Sequence, residues 1–353
     1  MPASFLYRFL KLYCKIGLWF YFKEWKVKDK NIIIKNRPTI FIANHQNAFL
    51  DAILMTCSTQ LNPFFLARAN VFEKSWAATL LSLIRIKPVF RFRDGFSTIK
   101  NNEVIFQECV DLLKKGETIL LFPEANHNEP YTTRAYQKGF ARIALLYAKQ
   151  TGKLDVAIQP TSIYYTQHHT FQGSVLLHNL STIQLDHVPS NAAEEKLFYE
   201  KLTQQAYQQI NHHLPILAED STYKVKLNLL INSRSIHQNV EKICQNDKEN
   251  IENDVFAKNN FHSISKLFLK NLIDFLWKLY HCLPWYFTRW VIKNKIKDNQ
   301  FISSIQFAIG IFFVPGWYLL LMVMLHFANQ HFMWMISVPF VGMILTILRK
   351  FTR

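Results

Sequence analysis

No two cysteines of this chain stand close together. Cys14, Cys57, Cys109, Cys244 and Cys282 are scattered with no CxxC among them, which disfavours both a disulfide framework and a zinc ribbon and fits a reducing, cytosolic setting. Repeats at solenoid period are lacking too, and so is any recognised nucleic-acid module. Acidic residues are few: 25 Asp and Glu face 41 Lys and Arg, a net charge of +16 that favours phosphate-bearing partners, whether nucleic acid, anionic lipid or a phosphorylated metabolite. The polar bias of a disordered chain is absent, since half of the 353 residues are hydrophobic and 15% are aromatic. That length accommodates one large domain with appendages or two small domains.

Charge-free runs gather at one end. Ile305 to Phe327 gives about 23 residues without a formal charge and Phe332 to Leu348 about 17 more, lengths that suit membrane-spanning helices. Lys293, Lys295 and Lys297 precede the first run, and Arg349, Lys350 and Arg353 follow the second. The positive-inside rule then leaves both ends in the cytoplasm. Residues 301–353 read as a two-helix transmembrane hairpin, the alternative being a buried helical pair, and Pro315 in the first run is a kink that membranes tolerate. Position sets the hairpin apart from a signal peptide. At the other end, residues 1–26 carry Arg8, Lys11 and Lys15 on one helical face, as in a helix lying in the headgroup layer or packed on the domain. Residues 263–300 read as an amphipathic membrane-associated helix, with Lys266, Lys270, Asp274 and Lys278 at i+4 intervals, and 232–262 as a polar linker or solvated helix.

Between these, residues 27–231 alternate strand and helix signals, which predicts an α/β fold with a mixed sheet flanked by helices. Strands are expected at 39–43, 64–67, 89–92, 118–122, 156–158 and 162–165, and helices at 48–57, 76–84, 101–115, 134–149 and 192–213. The segment from Asn44 to Asp51 falls where a strand ends and a helix begins, the usual ligand position of α/β sheets. On one continuous helix His45 and Asp51 would stand about 240° apart, so they meet only if a turn intervenes. Brought together, the carboxylate would fix the imidazole tautomer and leave the other ring nitrogen to take a proton from an alcohol. Arg91 and Arg93 share one face of a strand and suit a phosphate, or else a charged sheet edge. Glu124 follows a Phe-Pro break near a sheet edge. Arg134, Lys138 and Arg142 form a basic stripe or a solvated helix face. Pro160 interrupts a strand and is followed by the hydroxyl of Thr161.

In this order, the four blocks resemble those of the glycerolipid acyltransferase family, which includes lysophosphatidate and glycerol-3-phosphate acyltransferases, over about residues 25 to 215. The resemblance assigns His45 and Asp51 to the catalytic His-x4-Asp motif, here with five intervening residues. It gives Arg93 with Arg91 to the motif that binds the acceptor phosphate. Phe122-Pro123-Glu124 matches the block that shapes the acceptor site, Ala125 standing where glycine is usual, and Pro160 matches the block that lines the pocket. What it implies is a membrane-bound O-acyltransferase of phospholipid synthesis. Such an enzyme moves a fatty acyl chain to a hydroxyl of glycerol-3-phosphate or lysophosphatidate, with Lys138 and Thr161 joining the substrate contacts. The donor would be acyl-CoA, acyl carrier protein or an acyl phosphate; no metal, cofactor or nucleic acid is expected, and the phospholipid membrane is the standing partner. An acyltransferase of another lysolipid and a non-catalytic lipid-binding scaffold are the competing readings.

Overall fold

The computed structural model describes residues 5–33, 37–68, 84–89, 97–125, 130–234, 239–253, 264–328 and 331–352. Eight strands form one mixed sheet: β1 (Trp25–Lys28), β2 (Thr39–Ala43), β3 (Phe64–Arg68), β4 (Ile86–Val89), β5 (Thr118–Leu121), β6 (Ala157–Tyr165), β7 (Val175–Asn179) and β8 (Ile183–Gln184). Their order is β1-β7-β6-β2-β5-β3-β4, with β8 also on β6, and only the β6–β7 and β6–β8 pairings are antiparallel. Strands 2 and 5 are apolar on both faces, as parallel strands covered on both sides must be. Alternation sorts their side chains. Ile40, Ile42, Ile119 and Leu121 face a core built with α3 (Ser97–Lys114), α4 (Gly139–Thr151) and α5 (Ala192–His212). Phe41, Ala43 and Leu120 face a second core with α1 (Phe5–Tyr21) and α2 (Phe49–Ser58).

Three sequence expectations change. Pro160 does not break a strand: β6 runs unbroken through it. The Pro160 carbonyl accepts from Leu180 N–H between the β7 and β8 pairings, and since a residue's N–H and C=O share one side, its missing donor falls in that gap, where the ladder needs none. The helix expected from Arg134 begins only at Gly139, because Gln137 N–H is tied to the Pro123 carbonyl, so Arg134 and Lys138 do not continue a helical stripe with Arg142. The polar stretch after 231 contains α7 (Val240–Glu252), which follows α6 (Tyr223–Ser233) and buries Val240, Ile243 and Cys244. Its Asp247, also buried, is ion-paired with Arg234. Strands β1, β7 and β8 carried no clear signal of their own.

The expected amphipathic helix at 263–300 is two helices, α8 (Ile264–Tyr280) and α9 (Cys282–Lys295). Pro284 lacks the N–H that would bond the Tyr280 carbonyl, and Trp317 Nε1 donates to that carbonyl instead, at 3.0 Å. Trp317 belongs to α10 (Ile302–Phe327), and α11 (Phe332–Thr352) follows. The segments Asn299–Phe327 and Phe332–Thr352 are long and apolar enough to cross a membrane. Of their most apolar stretches 0% and 22% are buried, which argues against the buried pair of a soluble core. Pro315 frees the Ile311 carbonyl in the same way, and here the Tyr13 hydroxyl of α1 donates to it.

The hairpin is docked on the domain rather than tethered to it. Arg349 of α11 pairs with Asp274 of α8 at 2.7 Å and donates to Gln172 Oε1 at 3.0 Å. Helix α1 lies against α2 and α10. Its Lys11 turns inward to donate to the Thr59 and Leu61 carbonyls and Asn62 Oδ1 just past the end of α2, and burial lowers its pKa to about 8. Outward, α1 shows Phe5, Phe9, Leu12, Ile16 and Trp19. The crossing with α10 needs Gly17, where a Cβ would come within 2.6 Å of Ile311 Cγ2 and 3.3 Å of Phe307. Gly17→Leu is therefore expected to cost about 1–3 kcal/mol by overpacking, read as a lower Tm of the detergent-solubilised chain.

Candidate active site

Asn44 follows the C-terminal end of the central strand β2, where its side chain imitates a peptide group. It donates to the Ile163 carbonyl at 2.9 Å and accepts from Ile163 N–H at 2.7 Å, prolonging the β2–β6 pairing by side chain. The chain then turns through residues 45–48 before α2 starts. Ala48, at φ 47° and ψ −133°, makes this turn in a positive-φ conformation that favours glycine and costs alanine about 1–3 kcal/mol. The turn brings the two residues expected to meet into contact: His45 Nδ1 lies 2.9 Å from Asp51 Oδ2.

Asp51 is 0% exposed, so its carboxylate must be satisfied inside the protein. Gln46 N–H and Asn47 N–H each donate to Oδ2 at 2.8 Å, and the Tyr165 hydroxyl donates to Oδ1 at 2.5 Å. Burial beside the carboxylate holds the Tyr165 hydroxyl well above its ordinary pKa, which keeps it a donor. Tyr165 is fixed in turn: Tyr131 donates to its carbonyl at 2.8 Å, and Arg234, paired with Asp247, donates to the Tyr131 hydroxyl at 2.8 Å. The His45 ring stacks on Phe122, with centroids 4.1 Å apart and planes at 9°.

Glu124 is brought to the same place. Its Oε1 accepts from His45 N–H at 3.3 Å, and it is 3% exposed. Burial above all, with the nearby Asp51 charge adding to it, raises its pKa to about 8, against the opposing His45 hydrogen bond and Arg134. At neutral pH it is mainly uncharged, a neighbour of the dyad rather than a second base. Ala125, where glycine is usual in the resembling family, stands at φ 57°. The left-handed turn is kept, and alanine bears its strain.

Other expected residues are placed differently. Lys138 stands at the N-cap of α4 in an exposed ion pair with Glu200 at 3.3 Å. Thr161 is buried, donating to Asn179 Oδ1 at 3.1 Å, and it sits with Pro160 in register with Ile42 and Ala43 of β2. Arg91 and Arg93 lie outside the described residues. Among the described residues no three His, Cys, Asp or Glu side chains form a cluster able to hold a metal ion.

Two residues absent from the sequence reading complete the turn. Tyr165 is one. The other is Ser304 in the first turn of α10, fully buried, whose hydroxyl donates to the Asn47 carbonyl at 2.6 Å and accepts from Leu50 N–H at 3.1 Å. Ala48 has no side chain to cap α2, and Ser304 caps it from another helix. Nothing local could have signalled either, since they lie 114 residues from Asp51 and 254 from Leu50.

Residues 24–164 match the family model described as Acyltransferase. The chain is similar to the chloroplastic 1-acyl-sn-glycerol-3-phosphate acyltransferases of Arabidopsis thaliana, 26% identical over 156 residues, and of Brassica napus, 25% identical over 134 residues. These alignments cover 44% and 38% of this chain and only 40% and 37% of the two relatives. A solved structure, the 1-acyl-sn-glycerophosphate acyltransferase PlsC of Thermotoga maritima, aligns over 56% of this chain and 77% of that one, with 19% identity and a TM-score of 0.40.

Two outcomes follow from the geometry. Ser304→Ala removes the cap and one partner of a buried carbonyl, and should cost about 1–2 kcal/mol, seen as a lower Tm. Glu124 has a folded pKa above its ordinary 4.5, so its contribution to stability is full below pH 4.5 and is lost as pH rises through about 8. In Glu124→Gln, Tm should fall less between pH 5 and 8.5 than in the wild type; identical pH dependence would contradict the burial argument.

Proposed function

We propose that the chain is a membrane-bound O-acyltransferase that moves a fatty acyl chain from an activated donor to a hydroxyl of a glycerol-phosphate acceptor. The observation that carries this reading is the His45–Asp51 pair, at the end of a central strand inside the segment that matches the Acyltransferase family model. Asp51 accepts from Nδ1–H, which makes Nε2 the nitrogen that takes the proton of the acceptor hydroxyl. The oxygen attacks the donor carbonyl, the tetrahedral adduct collapses to the new ester, and the proton passes from His45 to the departing thiolate or phosphate. As the imidazole becomes positive, Asp51 stabilises it without moving. Neutral Glu124 adds no repulsion toward an incoming phosphate. Arg93, assisted by Arg91, takes that phosphate in this reading, and Lys138, Pro160 and Thr161 belong to the acceptor side.

The printed activity of the two plant relatives favours a 1-acylglycerol-3-phosphate acceptor, with glycerol-3-phosphate next. The donor is an acyl thioester of coenzyme A or of acyl carrier protein, or an acyl phosphate. No metal enters this acid–base chemistry. The exposed apolar helices α10 and α11 hold the domain on the membrane, and Lys293 and Lys295 in the last turn of α9, Lys297 after it, and Arg349 and Lys350 favour its cytoplasmic face.

An acceptor panel with a labelled acyl donor, run on the detergent-purified chain, tests this. Product is expected with 1-acylglycerol-3-phosphate or glycerol-3-phosphate. His45→Ala should lower turnover by about 10²–10⁴-fold with little change in Tm, since His45 packs at a loop and not in the core. Full turnover in that variant would overturn the mechanism.

A further inference from the structure

A cavity of about 1290 Å³ lies among α1, α8, α9, α10, α11 and the loop from His169 to Phe171. Neither His45 nor Asp51 lines it, so it is separate from the candidate active site. Its walls are apolar, with Phe20, Phe307, Ile311, Val314 and Met343 among them. The volume exceeds the roughly 300–1,000 Å³ of ordinary small-molecule pockets. Gly310 opens one wall: a Cβ there would meet nothing within 4 Å.

Charge is distributed in one sense. Among the described residues no aspartate or glutamate lines the cavity, although Asp298 acts on the lining His169, whereas Arg289, Lys293 and Arg349 line it. Arg349 is occupied by Asp274 and Gln172. Arg289 and Lys293 stand one turn apart on α9, both exposed, with Arg289 resting over the Trp285 ring at 5.2 Å. A polar group also turns up without a partner: His169 Nδ1 is buried and has no hydrogen-bond partner among the described residues. Burial lowers the His169 pKa, so the ring would offer a neutral hydrogen-bonding nitrogen rather than a charge.

We infer that this cavity is a binding site for an intact anionic glycerophospholipid, its two chains along α1, α10 and α11 and its phosphate on Arg289 and Lys293. The imidazole of His169 hydrogen-bonds the headgroup or glycerol backbone. The occupant follows from the walls and the rim together. Apolar walls on helices suited to a bilayer take acyl chains, a rim bearing two cations that form no ion pair among the described residues takes an anion, and the volume has room for two chains. This lipid is a resident of the helical layer and not the reacting acceptor. Since the adjacent His168 lies 2.6 Å from Gln46 in the catalytic turn, and its carbonyl accepts from Ser303 of α10, the site lies directly behind the active-site loop.

The test is native mass spectrometry of the full-length chain. It is purified in a detergent that contains no phospholipid and offered phosphatidylglycerol, phosphatidylcholine and lysophosphatidate together, without acyl donor. One phosphatidylglycerol per chain should be retained. Arg289→Glu with Lys293→Glu should weaken retention about tenfold or more. Gly310→Trp, which fills the cavity without touching the rim, should abolish it while Tm holds. The inference fails if no lipid is retained, if both variants retain it like the wild type, or if phosphatidylcholine or lysophosphatidate binds in preference. Displacement by inorganic phosphate alone would equally overturn the two-chain assignment. His45→Ala should retain lipid like the wild type, so loss of turnover and loss of lipid are separable results.

Discussion

A carboxylate with no access to water must find every hydrogen bond inside the protein, and the arrangement of this domain follows from how Asp51 finds its four. Two come from the backbone of the turn before α2, one from the His45 ring and one from Tyr165 at the end of β6. The same atom that orients the imidazole therefore closes the turn and locks α2 against the sheet. Removing the buried Tyr165 donor leaves a charge short of a partner, which costs more than the lost bond itself returns, whereas at the partly exposed His45 water can take the donor's place. Rigidity at His45 is a by-product of satisfying Asp51.

Around that centre the second constraint is the accounting of backbone groups in helices that contain proline. Pro284 and Pro315 each release a carbonyl, and each carbonyl is taken by an aromatic donor from a different helix, Trp317 and Tyr13. Those bonds join α8 to α10 and α10 to α1, so defects within helices become links between them. Ser304 continues the pattern where α10 meets the domain. It satisfies one carbonyl and one N–H of the turn that holds His45 and Asp51. The apolar hairpin is thus part of the support of the candidate site, although the matched family domain ends at residue 164.

Much of this was legible beforehand. The unbroken apolar runs in Thr39–Ala43 and Thr118–Leu121 mark strands covered on both faces, and the His45-to-Asp51 spacing demands the turn that is present. What stayed hidden was long-range. Tyr165 reads as one more aromatic in a strand, and Ser304 as one polar residue before an apolar run; their roles exist only once β6 and α10 reach the turn. Lys11 reads as a headgroup contact because helical spacing records a face but not what covers it, and the segment just past α2 covers it. Pro160 reads as a strand break because the rule assumes that both neighbours need its N–H, whereas here the gap between β7 and β8 meets it.

The departures from the family pattern are explained by the backbone. With five residues between them, His45 and Asp51 meet because the backbone turns sharply at Ala48, at φ 47°. Ala125 is a second alanine at positive φ, 57°. Each costs about 1–3 kcal/mol relative to glycine, set against the four hydrogen bonds that converge on Asp51. The strain is local and the satisfaction of the carboxylate is shared among three elements, so the turn keeps its shape with alanine where glycine would have been easier.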